Sequence, residues 1–160
     1  MKRLLPLALV VATTLAACAS GPRMSDTERL ALFTEHAGEP VNSFRYFNRL
    51  SGWTSLGNNA LAVWTRPSEA FLLQLTGPCN DLAFAHAISV TSRMSTVSAR
   101  FDSVIPRGPG MSNIQIPCRI QTIRPVNVAA MRAHKQEIRD ASAVEREGDD
   151  PPAEEEGTQG

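Results

Sequence analysis

From Leu61 to Leu75 the side chains alternate with a period of two on either side of Pro67-Ser68, and a β-hairpin is the local structure that fits. Leu61, Val63 and Thr65 alternate with Ala62, Trp64 and Arg66. After the turn, Phe71, Leu73 and Leu75 alternate with Leu72, Gln74 and Thr76, and Cys79 closes the stretch. The second strand carries large apolar residues on both faces. It therefore belongs in the interior of a sheet that is covered on its second face as well.

Other elements can be placed around this hairpin. Ser25 followed by Glu28 makes a capping box, and Leu30, Phe33 and Ala37 then recur on one helical face before Gly38 and Pro40. Phe44 and Tyr46 are the inward pair of a first strand, and Trp53 to Leu56 supplies a second. Asn80 can cap a short helical turn through Leu82, Phe84 and Ala85, and Ile88 to Thr91 is extended. Val97, Ala99 and Phe101 alternate with Ser98, Arg100 and Asp102, which predicts one more half-exposed strand before Pro106, followed by a loop from Arg107 to Asn113. Ile116, Cys118 and Ile120 share a strand face. Pro117 puts that strand at an edge or near its own start, and Pro125 ends it. Asn127 caps a last helix with a sparse stripe of Val128, Met131 and Ile138.

The first residues set the expected compartment. Met1, Lys2 and Arg3 are followed by an apolar run to Ala17, the arrangement of a signal peptide over residues 1–17. Leu15-Ala16-Ala17-Cys18 resembles the lipobox of bacterial lipoproteins. That resemblance implies cleavage before Cys18 and its modification with palmitate-type acyl chains, which together hold a protein stably on a membrane. Ala19 in place of an aspartate favours the outer membrane, periplasmic face, over the inner membrane. Residues 18–24 then serve as a lipidated tether.

Cys79 and Cys118 are the cysteines that remain, and an exported pair in an oxidising compartment is most simply a disulfide. A catalytic thiol at Cys79 near His86 is the competing reading, and it needs a partner base in space.

Charge is unevenly divided. The chain as a whole has 16 basic and 16 acidic residues. Residues 145–160 hold seven acids and one arginine, net minus six, with no large apolar side chain, and are expected to form a disordered acidic tail. Residues 19–144 hold thirteen bases and nine acids, net plus four. Arg93, Arg100, Arg107, Arg119 and Arg124 form a candidate anionic-ligand surface, weighed against an ordinary solvated strand face. Transient contact between Glu154, Glu155 and Glu156 and the basic side, including Arg132, Lys135 and Arg139, would screen that surface; a solubilising tail that touches nothing is the alternative.

Motifs of catalysis are missing. No phosphate-binding glycine loop, Gly-x-Ser-x-Gly or His-Glu-x-x-His occurs, and His36, His86 and His134 are far apart in sequence. Accordingly no catalytic residue, metal or cofactor is expected. Glu69, Asp81 and Asp102 are the candidates for a paired-carboxylate site, each at a turn or on an outward face. Trp53 and Trp64 could stack on a glycan but are more simply core anchors.

Trp53, Phe71-Leu72-Leu73-Gln74-Leu75, Cys79, Phe101-Asp102 and Cys118-Arg119-Ile120 together resemble a family of small proteobacterial lipoproteins classed as a domain of unknown function. The resemblance spans about Tyr46 to Arg124. It implies location and fold and transfers no activity. The expected fold is a single α+β domain over residues 25–144, an antiparallel, rolled or barrel-like sheet of about six strands with a helix at each end. The expected function is non-catalytic: an envelope lipoprotein, membrane-attached through Cys18, that binds an envelope protein or an anionic glycan or lipid, with nucleic acid excluded by export. The alternative is a periplasmic hydrolase whose site is assembled from distant residues.

Overall fold

The computed structural model describes residues 24–109 and 116–148. The expected signal peptide, Cys18, the tether up to Arg23, part of the Gly-Pro loop and the acidic chain beyond Gly148 lie outside the described residues. In chain order the elements are α1 (Asp26–Glu35), β1 (Ser43–Arg45), β2 (Gly52–Ser55), β3 (Ala60–Arg66), β4 (Glu69–Leu75), a 3-10 turn (Leu82–Phe84), β5 (Ala87–Val90), β6 (Thr96–Ser98), β7 (Ser103–Arg107), β8 (Cys118–Val126) and α2 (Val128–Gly148).

Six strands form one antiparallel sheet in the order β2-β3-β4-β8-β7-β5, and β1 pairs with β6 in a separate two-stranded ribbon. The class is α+β, but the sheet is open, so the expectation of a barrel is corrected. Closure would require β2 to pair with β5. Instead the ribbon lies over one face of the open sheet, where it supplies Phe44, Tyr46 and Val97 to the core.

The hairpin that the alternation predicts is β3–β4, with Val63 opposite Phe71 and Leu61 opposite Leu73. Its period of two sorts the side chains between two cores. Leu61, Val63, Leu73 and Leu75 face the ribbon, together with Val104, Ile120 and Ile123. Ala60, Ala62, Ala70 and Leu72 face the two helices, against Leu32, Phe33, Val128 and Met131. Three of those four sheet residues are alanines, which lets the helices sit close. Burying a leucine such as Leu61 or Leu72 completely stabilises the fold by about 1.5–3 kcal/mol, and both are 0% exposed. A register shift between Gln74 and Leu75 places one extra residue in β8. Ile120 and Ile123, three apart, therefore both point into the ribbon-side core.

Both tryptophans are half-buried, on opposite faces. Trp53 packs on the ribbon-side core, and Trp64 meets Phe33 edge to face at 5.7 Å on the helix side. The core reading therefore fits them, and they form no shared platform. Phe44 stacks on Phe71 at 4.5 Å and fastens the ribbon to the sheet.

The predicted strand from Val97 to Asp102 is instead the end of β6 and a turn that leads into β7 in the other layer. β6 ends at Ser98, the chain turns through Arg100 at φ +69°, and β7 starts at Ser103. Phe101 is consequently exposed and Asp102 is buried, the reverse of the alternation. Ile116 precedes β8 and is exposed, so it does not share the inward face of Ile120. β8 begins just after Pro117 and continues through Pro125. The Pro125 carbonyl accepts the Gly38 N–H at 2.8 Å on the side away from β4, so its nitrogen also points off the β4 ladder and the missing donor costs nothing there. The four residues 145–148, expected in the tail, continue α2. Among the described residues no helix is long and apolar enough to cross a membrane.

Candidate functional site

Cys79 and Cys118 are bonded, with Cα atoms 5.8 Å apart across a sequence separation of 39. They tie the segment after β4 to the first residue of β8. The thiol alternative at Cys79 is thereby removed. His86 is exposed just before β5, where its N–H donates to the Arg107 carbonyl.

The three carboxylates are held in separate elements. Glu69 accepts from the Thr65 hydroxyl at the hairpin end, and Asp81 is exposed ahead of the 3-10 turn. Asp102 is 3% exposed rather than outward. It accepts the Thr91 hydroxyl and the Ser98 N–H, each at 2.8 Å.

The five predicted arginines stand in different local contacts. Arg124 is spent on the end of α1, where it donates to the carbonyls of Ala37 at 2.8 Å and Gly38 at 2.7 Å. Arg107 donates to the Ser89 hydroxyl at 2.6 Å, and Arg119 donates to the Arg100 carbonyl at 3.1 Å. Arg93 bridges Thr96 across the tight turn between β5 and β6, whose tip residues Met94 and Ser95 both have positive φ. Arg100 borders an open groove of about 450 Å³ with Asn42, Ser98, Phe101 and Gln121. Of Arg132, Lys135 and Arg139, the first donates to the Pro67 carbonyl at 2.8 Å and fastens α2 to the β3–β4 hairpin.

A different basic site lies in a groove of about 500 Å³ lined by Arg45, Phe47, Arg49, Ser51, Thr65, Arg66 and Glu69. Backbone pairing and turns set the position from which each arginine extends. Arg45 ends β1 opposite Thr96, and Arg66 ends β3 opposite Glu69, next to a register shift. Arg49 follows Asn48, whose φ of +56° turns the chain, and Ser51 secures the same loop to β3 through its N–H on the Trp64 carbonyl. Phe47 is exposed at the groove. Among the described residues, none of these three guanidiniums has an ion-pair partner. The one carboxylate present, Glu69, is hydrogen-bonded to Thr65. Guanidinium groups bind carboxylates and phosphates through paired N–H donors, and three of them against one carboxylate leave the groove with a net positive charge that favours an entering anion. The sequence carried a usable signal: Arg45 and Arg49 flank Phe47, and Arg66 closes a strand immediately before a turn.

Folding also brings together two histidines that lie 98 residues apart. His36 Nε2 is 3.0 Å from His134 Nδ1, and Glu35 Oε2 is 3.7 Å from that same Nδ1. Donor atoms of all three residues lie within 4.8 Å of one another. His36 caps the end of α1, and its carbonyl accepts the Asn127 N–H at 2.9 Å where α2 begins.

No curated protein and no solved structure matches the chain. A family model matches residues 1–142, and the chain belongs to that family, a family of unknown function (DUF6491).

Proposed function

We propose that the protein is a lipid-anchored, non-catalytic component of the bacterial cell envelope that binds phosphate or carboxylate groups of an envelope glycan or lipid headgroup. The observation that carries the binding reading is the groove of Arg45, Arg49 and Arg66 beside the exposed Phe47. Three unpaired guanidiniums supply the anion contacts, and the phenyl ring gives an apolar surface for a sugar ring or acyl segment. Leu15-Ala16-Ala17-Cys18 supports the anchor, which keeps the groove within reach of one membrane face. A filled core on each face of the sheet suits a binding module, whose working surface is an edge and not an interior cavity.

The test compares residues 19–160, which lack the acyl anchor, with the same segment carrying Arg45→Ala/Arg66→Ala, in co-sedimentation with anionic vesicles and with isolated envelope glycan. Binding that falls at least tenfold in the variant, and that weakens with salt, supports the site. Equal binding by both forms removes it. The two arms separate a lipid source of the anion from a glycan source. Replacing Cys18 with serine tests the anchor independently, since a variant that still fractionates with membranes and matures normally would sink the lipoprotein reading.

A further inference from the structure

We propose that Glu35, His36 and His134 form a binding site for a divalent transition-metal ion, with zinc as the best fit. In a tetrahedral zinc site the metal–nitrogen distance is about 2.0–2.1 Å, which places neighbouring donor atoms roughly 3.3 Å apart. The separations of 3.0 Å between the two imidazole nitrogens and 3.7 Å from His134 Nδ1 to the Glu35 carboxylate bracket that value. The ring planes meet at 76°, so the two imidazoles do not stack face to face. Two imidazoles and one carboxylate suit zinc, and three protein ligands leave a fourth position to water.

The ligands are held by contacts that do not use their metal-binding atoms. Backbone bonds run from Asn127 to His36 at 2.9 Å and from Gly38 to Pro125 at 2.8 Å, and Arg124 clamps the carbonyls of Ala37 and Gly38. Asn127 caps α2 by accepting the Ala130 N–H at 3.0 Å, which fixes the rise of that helix toward His134. Next to the histidine pair, an open cavity of about 460 Å³, lined by Glu35, His36, Asn127 and Ala130, gives a hydrated ion its route. Each facing nitrogen must offer its lone pair to the ion, so the N–H of each bound ring sits on its outward nitrogen.

The experiment titrates zinc into the chelator-stripped full chain by calorimetry, with cobalt(II) absorption as a spectroscopic readout. One ion per chain is expected, with a rise in thermal midpoint. His36→Gln and His134→Gln should each weaken binding by more than the roughly 10- to 100-fold that follows loss of an outer-shell partner, whereas His86→Gln should leave it unchanged. The proposal is overturned by absence of saturable binding or by binding that survives in the double variant. It is also overturned by a sulfur-to-cobalt charge-transfer band in the unsubstituted chain, which would place the ion on a cysteine thiolate. That last readout needs no variant to fold.

Discussion

Asp102 and Thr91 share a 2.8 Å hydrogen bond inside the turn that carries the chain from the ribbon back into the main sheet. The second carboxylate oxygen takes the Ser98 N–H, the Asp102 N–H returns to the Ser98 carbonyl at 3.0 Å, and Ile120 donates to the Asp102 carbonyl at 3.0 Å. Arg100 reaches its left-handed conformation between these bonds, and its own N–H meets the Ile120 carbonyl at 2.7 Å. A conformation that an arginine ordinarily avoids is thus held in place by a buried carboxylate.

Asp102→Ala should therefore destabilise the protein by roughly 1–3 kcal/mol, the cost of leaving buried polar groups unpaired. Asp102→Asn should cost less, because its carbonyl can take the Ser98 N–H while its amide donates to the Thr91 hydroxyl. Urea titration measures both. An alanine variant as stable as the unsubstituted protein would show that the turn holds without the carboxylate.

Different arginines should respond to different assays. Arg124→Met removes two charge-assisted bonds to the end of α1, and such bonds contribute about 1.5–3 kcal/mol each at most; stability should fall while binding of anionic vesicles stays unchanged. Arg49→Ala should do the opposite, since that side chain is exposed and lines the groove. Paired measurements of melting and vesicle affinity check this. A loss of affinity in Arg124→Met without loss of stability would place Arg124 in the binding surface after all.

The Cys79–Cys118 bond closes a loop with a sequence separation of 39. Chain-entropy arguments give a loop of that size about 4 kcal/mol of stabilisation. That is a large share of the roughly 5–15 kcal/mol typical of a domain. Cys79→Ser/Cys118→Ser should lower the denaturant midpoint accordingly, and mass spectrometry of the unsubstituted protein should find no free thiol at either position. Two free thiols in oxidised protein would contradict the bond.

What the sequence made legible is local. The β3–β4 hairpin and the box at Ser25 could be read because each is specified by residues a few positions apart. The Val97–Asp102 turn could not, since apolar and polar residues keep alternating straight through it and no glycine, proline or asparagine marks Arg100. The order of strands also escaped, because β8 sits between β4 and β7 through pairings that span many residues. His36 and His134 show the same limit. Their spacing of 98 residues has no periodicity to betray it, and they meet only after α1 and α2 have settled on the alanine-lined face of the sheet.

The start of α1 gives a pH-dependent prediction. Ser25 Oγ accepts the Glu28 N–H at 3.2 Å, and the Glu28 carboxylate accepts the Ser25 N–H at 2.6 Å. That backbone bond, with help from the Ser25 hydroxyl, holds the Glu28 carboxyl below its ordinary value of 4.5. A carboxylate whose pKa is lower in the folded state adds stability above its unfolded value, and that stability is lost as pH falls through the folded value. The advantage of the unsubstituted chain over Glu28→Gln should thus be present at neutral pH and disappear in acid below the ordinary value. Ser25→Ala should cost about 1 kcal/mol at neutral pH, since helix caps are worth that much, and the loss should reach the sheet because α1 buries Leu32 and Phe33 against it. Denaturant midpoints measured across the acid range decide the matter, and a constant difference between the unsubstituted chain and Glu28→Gln would show that the carboxylate does not contribute through its charge.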